Sequence, residues 1–164
     1  MTHLNIEIKA RTNQPDRLKT ILLENGAIFQ GLDQQTDTYF QVKNGRLKLR
    51  RGNIENSLIF YERNETAGLK KSKIELLKIA PEQSASFETM LEKSLGLLVR
   101  VEKSRQIFWM ENIKFHLDEV AGLGSFVEIE AIDSDGTIGE SRLREQCQNW
   151  ISKFEIQTED LIAA

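Results

Sequence analysis

The chain has 164 residues, 40% of them apolar, and this length predicts one domain with a sizeable core over residues 1–164. Its 22 Lys and Arg against 25 Asp and Glu leave a formal charge of −3, which argues against a protein that works by neutralising nucleic-acid phosphates. One cysteine excludes an intramolecular disulfide. Since residues 1–25 lack a signal-peptide pattern and no apolar run reaches the roughly 18 residues of a membrane helix, we expect a cytoplasmic protein with no membrane partner.

The first strand, residues 3–11, sets the pattern that later strands repeat. Apolar residues at even positions alternate with Asn5, Glu7, Lys9 and Arg11, which predicts a β-strand with one polar face. That face places an acid and two bases in line, whereas an ordinary solvent-facing strand carries charges in no special order. We interpret it as the floor of a site for a polyphosphate and a metal.

A helix and further β-structure follow the first strand. Residues 13–16 open the helix, and Gly26 closes it as a C-cap glycine. The β-rich residues 27–42 predict one or two strands around a polar break at residues 33–35. The buried stripe of the helix is predicted to be Leu18, Ile21 and Leu22.

Three more strands are expected between residues 46 and 79. Asn44-Gly45 is a turn signal that leads into a strand in which every second residue is basic. Residues 57–63 form an apolar and aromatic strand ending in Arg63, and residues 65–69 form a loop before the strand of residues 71–79. The bases of the alternating strand are Arg46, Lys48 and Arg50.

The second half of the chain predicts a helix, three strands and a closing helix. Pro81 begins the first helix and Gly96 stops it. The strands span residues 97–110, 113–120 and 126–131, and the closing helix runs from about residue 138 to residue 154. The predicted buried stripes are Phe87, Met90, Leu91 and Leu95 in the first helix, and Leu143, Cys147, Trp150, Ile151 and Phe154 in the second.

This order of elements predicts an α+β fold, an eight-stranded antiparallel β-sheet with flanking amphipathic helices. The charged face of the strands lies opposite an apolar face that helices are available to cover, so the core should lie outside the curve of the sheet. If the sheet closes into a barrel, its lumen holds charges that must pair or be filled by something charged. The acids are Glu7, Asp118, Glu128 and Glu130, and the bases are Lys9, Arg46, Lys48, Arg50, Arg63, Lys103 and Arg105.

The mixture of charges predicts a specific chemistry. Converging guanidinium and ammonium groups match the oxygens of a triphosphate, but the carboxylates would repel it unless Mg²⁺ or Mn²⁺ bridged the two. Glu128 and Glu130 present both carboxylates to one face, as a strand-borne metal site requires. Taken singly, each feature also fits a plainer role, such as a cross-strand pair or a guarded edge strand. For His116 a structural hydrogen bond is the favoured interpretation over contact with a metal or phosphate.

Several of these stretches resemble one protein family. Residues 6–9, 47–50, 101–105 and above all 117–130, with the sequence LDEVAGLGSFVEIE, resemble the CYTH superfamily, also called triphosphate tunnel metalloenzymes. That superfamily includes class IV adenylyl cyclases, thiamine triphosphatases and inorganic triphosphatases. The resemblance extends from residue 5 to residue 130 in the family's order.

The resemblance implies an eight-stranded antiparallel tunnel, an enzyme that binds a small-molecule triphosphate with Mg²⁺ or Mn²⁺, and leaves room for a homodimer. One departure is plain, because Asn5 stands at the first glutamate of the family motif Glu-x-Glu-x-Lys and offers a neutral carbonyl oxygen in its place. The implied catalytic residues are Glu7, Lys9 and Asp118. The implied metal ligands are Glu7, Glu128, Glu130 and Asp118, and the implied phosphate clamp is Lys9, Arg50, Arg63, Lys103 and Arg105, with Arg46 and Lys48 as weaker members.

Three functions stay open from the sequence. The lead is a class IV adenylyl cyclase-like enzyme that converts ATP to cyclic AMP and pyrophosphate, because residues 117–130 most resemble that branch. An organic or inorganic triphosphatase acting on thiamine triphosphate or tripolyphosphate is the first alternative. The second is a module that binds nucleotide or polyphosphate without turnover, which Asn5 motivates.

Overall fold

The computed structural model describes residues 2–63 and 67–162, with the side chains of those residues other than Thr2 and Arg63. Within these ranges the chain forms eight strands, three α-helices and two short 3₁₀ turns. The strands are β1 (Thr2–Arg11), β2 (Ile28–Phe40), β3 (Arg46–Arg51), β4 (Asn56–Arg63), β5 (Lys70–Lys78), β6 (Leu97–Met110), β7 (Ile113–Val120) and β8 (Gly124–Asp133). The helices are α1 (Pro15–Glu24), α2 (Ser84–Leu95) and α3 (Glu140–Phe154).

The strands close into one antiparallel barrel in the order β1-β5-β4-β3-β2-β6-β7-β8. The predicted α+β fold with an eight-stranded barrel is therefore confirmed. The closing contact is between β1 and β8, where Glu7 lies opposite Glu130 and Lys9 lies opposite Glu128. Because side chains alternate across each strand, this register turns these four charged side chains toward the lumen.

The main apolar core lies outside the barrel, as predicted. Outward residues of β1, such as Ile6 and Ile8, pack with α1 and α3 in one buried cluster. In α3, the Trp150 ring lies 4.6 Å from the Phe115 ring of β7, centroid to centroid. Burying each such large side chain contributes roughly 1.5–3 kcal/mol to the stability of the fold. Because this apolar burial takes place between the helices and the outer face of the barrel, the lumen can hold polar side chains.

Helix α2 covers a second, smaller core over the outer face of β2 and β3. Phe87 and Leu91 pack against the cluster of Phe40, Leu49 and Ile79. The other two residues of the predicted stripe were wrong as core positions, because Met90 and Leu95 are exposed. The α-helix begins at Ser84 and not at Pro81 as predicted, because a 3₁₀ turn, Pro81–Gln83, precedes it.

Strand β2 is one continuous strand, so the predicted polar break at residues 33–35 was wrong. Asp33 and Gln35 are buried polar residues that the strand accommodates. The Asp33 carboxylate accepts hydrogen bonds from the backbone N–H groups of Asn53, Ile54 and Glu55 at 2.7–2.9 Å. The polar residues thus anchor the β3–β4 connection instead of interrupting β2.

The observed strand limits also differ from prediction in β5 and β8. Strand β5 begins at Lys70, which lies opposite Glu7 of β1, and β8 extends beyond the predicted residues 126–131 at both ends. Both extensions lengthen the wall of the lumen. In the described ranges no helix is long and apolar enough to cross a membrane.

Candidate functional site

The barrel encloses a cavity of about 940 Å³ lined by side chains from all eight strands. Asp118 lies behind this lining, and the side chain of Arg63 lies outside the described residues. The structure brings the other ten residues of the sequence prediction together on the cavity wall. They are Asn5, Glu7, Lys9, Arg46, Lys48, Arg50, Lys103, Arg105, Glu128 and Glu130.

One side of the lumen holds a group that we call the Asp37 cluster, made of Asp37, Lys48, Arg50 and Lys103. Arg50 donates two hydrogen bonds to the carboxylate of Asp37, at 2.9 and 2.8 Å. The amines of Lys103 and Lys48 lie 3.1 and 3.7 Å from the same carboxylate. Burial alone would raise the pKa of Asp37, but these cations hold that pKa well below its usual range. The cluster places three basic side chains around one carboxylate.

Lys103 is a buried member of the Asp37 cluster whose pKa is lowered. Burial and the neighbouring Arg105 guanidinium lower the pKa of its amine to about 7, although Asp37 acts in the opposite direction. An added anion in the lumen would favour the charged amine. Lys103 is therefore poised to take up a proton when a polyanion binds.

A second buried ion pair joins β6 to β7. Arg105 donates to both carboxylate oxygens of Asp118 at 2.8 Å, and its Nη2 lies 3.4 Å from Oε1 of Glu128. Both Arg105 and Asp118 are 2% exposed. Both oxygens of Asp118 are thus engaged with Arg105, and this pair fixes the guanidinium beside Glu128. The metal-ligand role predicted for Asp118 stays a prediction.

The opposite wall carries a group that we call the acid cluster, made of Glu7, Glu128 and Glu130. The antiparallel register of β1 and β8 places Glu7 directly opposite Glu130. Burial and the Glu7 carboxylate raise the pKa of Glu130 to about 7, with Glu128 acting in the same direction. A buried carboxylate that lies beside a second acid favours a bound cation.

Asn5 and Ser72 border the acid cluster from β1 and β5. The Asn5 amide nitrogen lies 3.5 Å from Oε2 of Glu130, and the Ser72 hydroxyl donates to Oε1 of Glu7 at 3.3 Å. The Asn5 carbonyl oxygen is buried and has no hydrogen-bond partner among the described residues. At the position of the missing family glutamate, the chain therefore offers an unsatisfied oxygen next to the acids.

His116 of β7 lies beside the acid cluster, opposite Glu128 in the register of β7 and β8. Its Nδ1 is 3.2 Å from Oε2 of Glu128. Burial, followed by the positive charge of Arg105, lowers the pKa of His116 to about 3, so the imidazole is neutral near pH 7. The sequence prediction of a hydrogen-bonded histidine agrees with this contact.

The β3–β4 connection adds a cross-lumen ion pair that the sequence prediction missed. Glu55, held by Asp33, pairs with Lys114 of β7 and lies 3.6 Å from Nη1 of Arg50. The Lys114 ammonium, together with Arg50, lowers the pKa of Glu55 far below its usual range despite burial. The connection therefore adds a pair of charges to the lining of the lumen.

The lumen wall carries an apolar patch on β4 and β5, next to polar residues of the same strands such as Ser72. Ile59 of β4 lies opposite Leu76 of β5, and Ile74 follows on the same face of β5. All three line the cavity. Inorganic polyphosphate has no apolar group that could pack on this surface, whereas the organic group of a nucleotide or another organic triphosphate could do so.

Sequence reasoning missed Glu55, Lys70 and Lys114, which line the cavity, and Asp37, which lies behind the lining as Asp118 does. Lys114 shares the face of Asp118 by simple alternation, so the signal was present. Asp37 follows residues 33–35, which were interpreted as a polar break within one or two strands, and this interpretation hid the alternation of residues 33, 35 and 37. Nothing in the sequence signals that Glu55, in a connection, reaches the lumen.

Comparison with known families agrees with this architecture. The model of the CYTH domain matches residues 3–164. The chain belongs to the CYTH family. No curated protein matches this CYTH chain at a significant level.

Solved structures similar to this CYTH protein share its fold at low sequence identity. The PH1012 protein of Pyrococcus horikoshii OT3 aligns with a TM-score of 0.77 and 22% identity, over 98% of this chain and 95% of its own. A candidate adenylate cyclase from Vibrio parahaemolyticus aligns with a TM-score of 0.76 and 19% identity, over 96% and 92%. HpAC1 of Hippeastrum, described as a cyclase candidate with a dominant triphosphatase activity, aligns with a TM-score of 0.65 and 16% identity, over 99% and 90%.

Proposed function

We propose that this CYTH protein is a divalent-metal-dependent enzyme that acts on an organic triphosphate, and that its reaction is the conversion of ATP to cyclic AMP and pyrophosphate. One observation carries the proposal. The Asp37 cluster and the acid cluster face the same cavity, so the lumen presents excess positive charge and a set of carboxylates to one ligand. A triphosphate with a divalent cation is the ligand that satisfies both.

The cations of the lumen divide into two groups. Lys9, Lys48 and Lys103 are held by longer ion pairs of 3.1–3.7 Å, so their ammonium groups can turn toward phosphate oxygens. Arg50 and Arg105 are fixed by bidentate pairs and supply oriented positive charge. We assign Asp118 the role of holding Arg105, and Arg46 and Arg63 the role of further phosphate contacts.

The residues present fit a divalent cation. Glu7, Glu128 and Glu130 would hold it, and the unsatisfied Asn5 carbonyl oxygen supplies a neutral ligand next to them. When bound, such an ion activates a hydroxyl and neutralises phosphate charge. These carboxylates lie on β1 and β8, whereas Lys48 and Lys103 lie on β3 and β6, so a triphosphate bound between these strands would contact both the lysines and a cation held by the acids.

The apolar wall supports a nucleoside triphosphate over inorganic tripolyphosphate. Ile59, Ile74 and Leu76 give a base or another ring an apolar surface beside the phosphate site. In cyclisation the ribose 3′-hydroxyl attacks the α-phosphorus and pyrophosphate leaves. The lysines would hold the leaving pyrophosphate while the wall orients the nucleoside.

Hydrolysis of the same triphosphates is the second candidate. The cavity of about 940 Å³ lies at the upper end of the range for sites of drug-sized ligands, so there is room for water beside a bound triphosphate. Water would then attack the terminal phosphorus and release phosphate.

Product analysis tests the proposal. The protein is incubated separately with ATP, thiamine triphosphate and tripolyphosphate, each with Mg²⁺ or Mn²⁺, and the products are resolved by chromatography. We expect cyclic AMP and pyrophosphate from ATP, and phosphate release instead would identify a triphosphatase. If nothing turns over but ATP raises the melting temperature, the protein is a binding module, and activity gained by Asn5→Glu would trace that state to residue 5.

A further inference from the structure

Trp109 is a large aromatic side chain at one end of the lumen. It is half-buried and lines the cavity near the end of β6. Its register partner is Lys114 of β7, whose own partner on β8 is Glu130 of the acid cluster. Neighbouring strands lie about 4.8 Å apart, so about 10 Å separate the backbones of Trp109 and Glu130. A sugar or a comparable linker between a ring and a phosphate can bridge such a separation.

A β-bulge in β2 orients the ring of Trp109. In the pairing of β2 with β6 the register shifts between Phe29 and Gly31, so Gln30 is the extra residue of the bulge. Gly31 has a φ of 143°, a conformation that glycine adopts readily. A bulge can re-aim a side chain. Here the side-chain oxygen of Gln30 accepts a hydrogen bond from the indole N–H of Trp109 at 2.8 Å, which fixes the indole in the lumen wall.

Lys114 makes a second contact with the ring. Its ammonium lies 5.6 Å from the centroid of the Trp109 ring, within the range of a cation–π interaction. The same ammonium pairs with Glu55. Lys114 also lines the cavity, between Trp109 and Glu130 in the order of the strands. A ligand whose ring contacts Trp109 therefore has a cation next to the phosphate that follows the ring.

An apolar patch lies across the lumen from Trp109. In the order of the closed barrel, β5 and β6 are four strands apart in either direction, so they face each other. Ile74 and Leu76 of β5 line the cavity, and Ile74 lies opposite His3 at the start of β1. Because the start of β1 and the ends of β5 and β6 share one end of the antiparallel barrel, this patch lies at the end that holds Trp109.

We propose that Trp109 is a specificity-determining residue of this protein, and that its indole stacks on the aromatic ring of an organic triphosphate whose other side faces Ile74 and Leu76. Stacking on an aromatic side chain is open to any planar ring, and adenine is one. Inorganic tripolyphosphate has no ring, so it gains nothing from Trp109. The inference rests on the proposed function in that both place a triphosphate in the lumen, but it concerns the residue that recognises the organic group.

The fluorescence of Trp109 tests this inference. The chain contains two tryptophans, and the other, Trp150, packs against Phe115 outside the barrel. Trp150→Phe therefore leaves Trp109 as the tryptophan reporter. The probe is a bis-methylene analogue of ATP with Mg²⁺, which neither cyclises nor hydrolyses. We expect this analogue to quench the fluorescence of the wild type and of Trp150→Phe, and tripolyphosphate to leave the fluorescence of both nearly unchanged.

Calorimetry separates recognition of the ring from binding of the phosphates. Trp109→Leu removes the aromatic ring, and we expect its affinity for the ATP analogue to fall about tenfold. Trp109→Phe keeps an aromatic ring and is the matched control, so it should retain most of that affinity. The affinity for tripolyphosphate should be unchanged in both variants.

The outcomes separate this inference from the proposed function. Binding of the analogue without quenching in Trp150→Phe, or equal losses of affinity for the analogue and tripolyphosphate in Trp109→Leu, overturns the inference even if ATP turns over. Quenching without turnover of ATP supports the inference and removes the proposed reaction. Quenching by thiamine triphosphate but not by the analogue keeps Trp109 as the ring contact and assigns another organic triphosphate as the substrate. If Trp109→Leu does not fold, the presence or absence of quenching in Trp150→Phe decides.

Discussion

The two charged walls of the tunnel differ in how their charges are compensated. In the Asp37 cluster a single buried carboxylate lies among three cations, and every one of them contacts it. In the acid cluster, Glu7 and Glu130 lie opposite each other, and the pKa of Glu130 is raised by burial and by that neighbour. The first wall surrounds its carboxylate with cations of the protein, while in the second wall Glu130 has another carboxylate, Glu7, as its partner across the strands. A fold can thus keep one half of its site assembled and leave the other half to the ligand.

The largest effect is expected from a substitution that removes the carboxylate of the Asp37 cluster. Asp37→Ala leaves Arg50 buried without its bidentate partner, and we expect the free energy of unfolding to fall by about 3–5 kcal/mol. Urea denaturation measures this. The exposed Glu119 on β7 is a matched control, since Glu119→Gln removes one negative charge at the surface. Equal stability of Asp37→Ala and the control would show that the cluster does not hold the wall together.

The next effect concerns the acid cluster. Glu130→Gln removes a carboxylate of the acid cluster, and we expect kcat/KM for the triphosphate to fall on the order of 100-fold or more. Because the change also removes repulsion from Glu7, the variant should be at least as stable as the wild type. Steady-state kinetics and thermal unfolding measure the two quantities, with the exposed Glu102→Gln as control. Full activity in Glu130→Gln would remove Glu130 from the site.

Lys103→Met should lower tripolyphosphate affinity about tenfold near pH 7, since a charge-assisted hydrogen bond contributes about 1.5–3 kcal/mol. In the protein without ligand, burial and Arg105 lower the pKa of the Lys103 amine to about 7. We expect a bound polyanion to raise that pKa. Binding above pH 7 therefore takes up a proton at Lys103, and wild-type affinity falls as the pH rises from 7 to 9.

Calorimetry of tripolyphosphate binding across that pH range measures the effect. Comparison of the two proteins cancels the titration of the ligand itself, and the exposed Lys93→Met serves as the control. The same slope in wild type and Lys103→Met would assign the pH dependence to another group. The groups around Lys103 are Asp37, Lys48, Arg50 and Arg105.

The smallest effect restores the acid at residue 5. Asn5→Glu adds a carboxylate beside Glu7 and Glu130, so we expect the metal-free protein to lose on the order of 1 kcal/mol of stability. Added Mn²⁺ should recover that loss. Asn5→Gln keeps a neutral amide and is the matched control in thermal unfolding with and without metal. Destabilisation that metal does not reverse would place residue 5 outside the metal site.

Much of the site could be predicted because strands impose a strict alternation. Once residues 3–11 and 46–50 are interpreted as strands, Glu7, Lys9, Lys48 and Arg50 must share faces with their neighbours, and the structure places them in one lumen. Asp37 escaped prediction because polar residues at 33–35 mimic a loop. Their real role is to bind a distant connection, and a local pattern carries no information about that partner.

The sequence by itself determined which face of each strand is polar and which face the helices cover, because those properties depend on neighbours along the chain. The tertiary structure decided which charges pair. Arg105 reaches Asp118 because β6 lies next to β7, and Lys103 reaches Asp37 because β2 closes against β6. Barrel closure between β1 and β8 likewise sets Glu7 against Glu130 across more than a hundred residues of chain. Pairing depends on strand order and register, and these follow from the free energy of the whole fold.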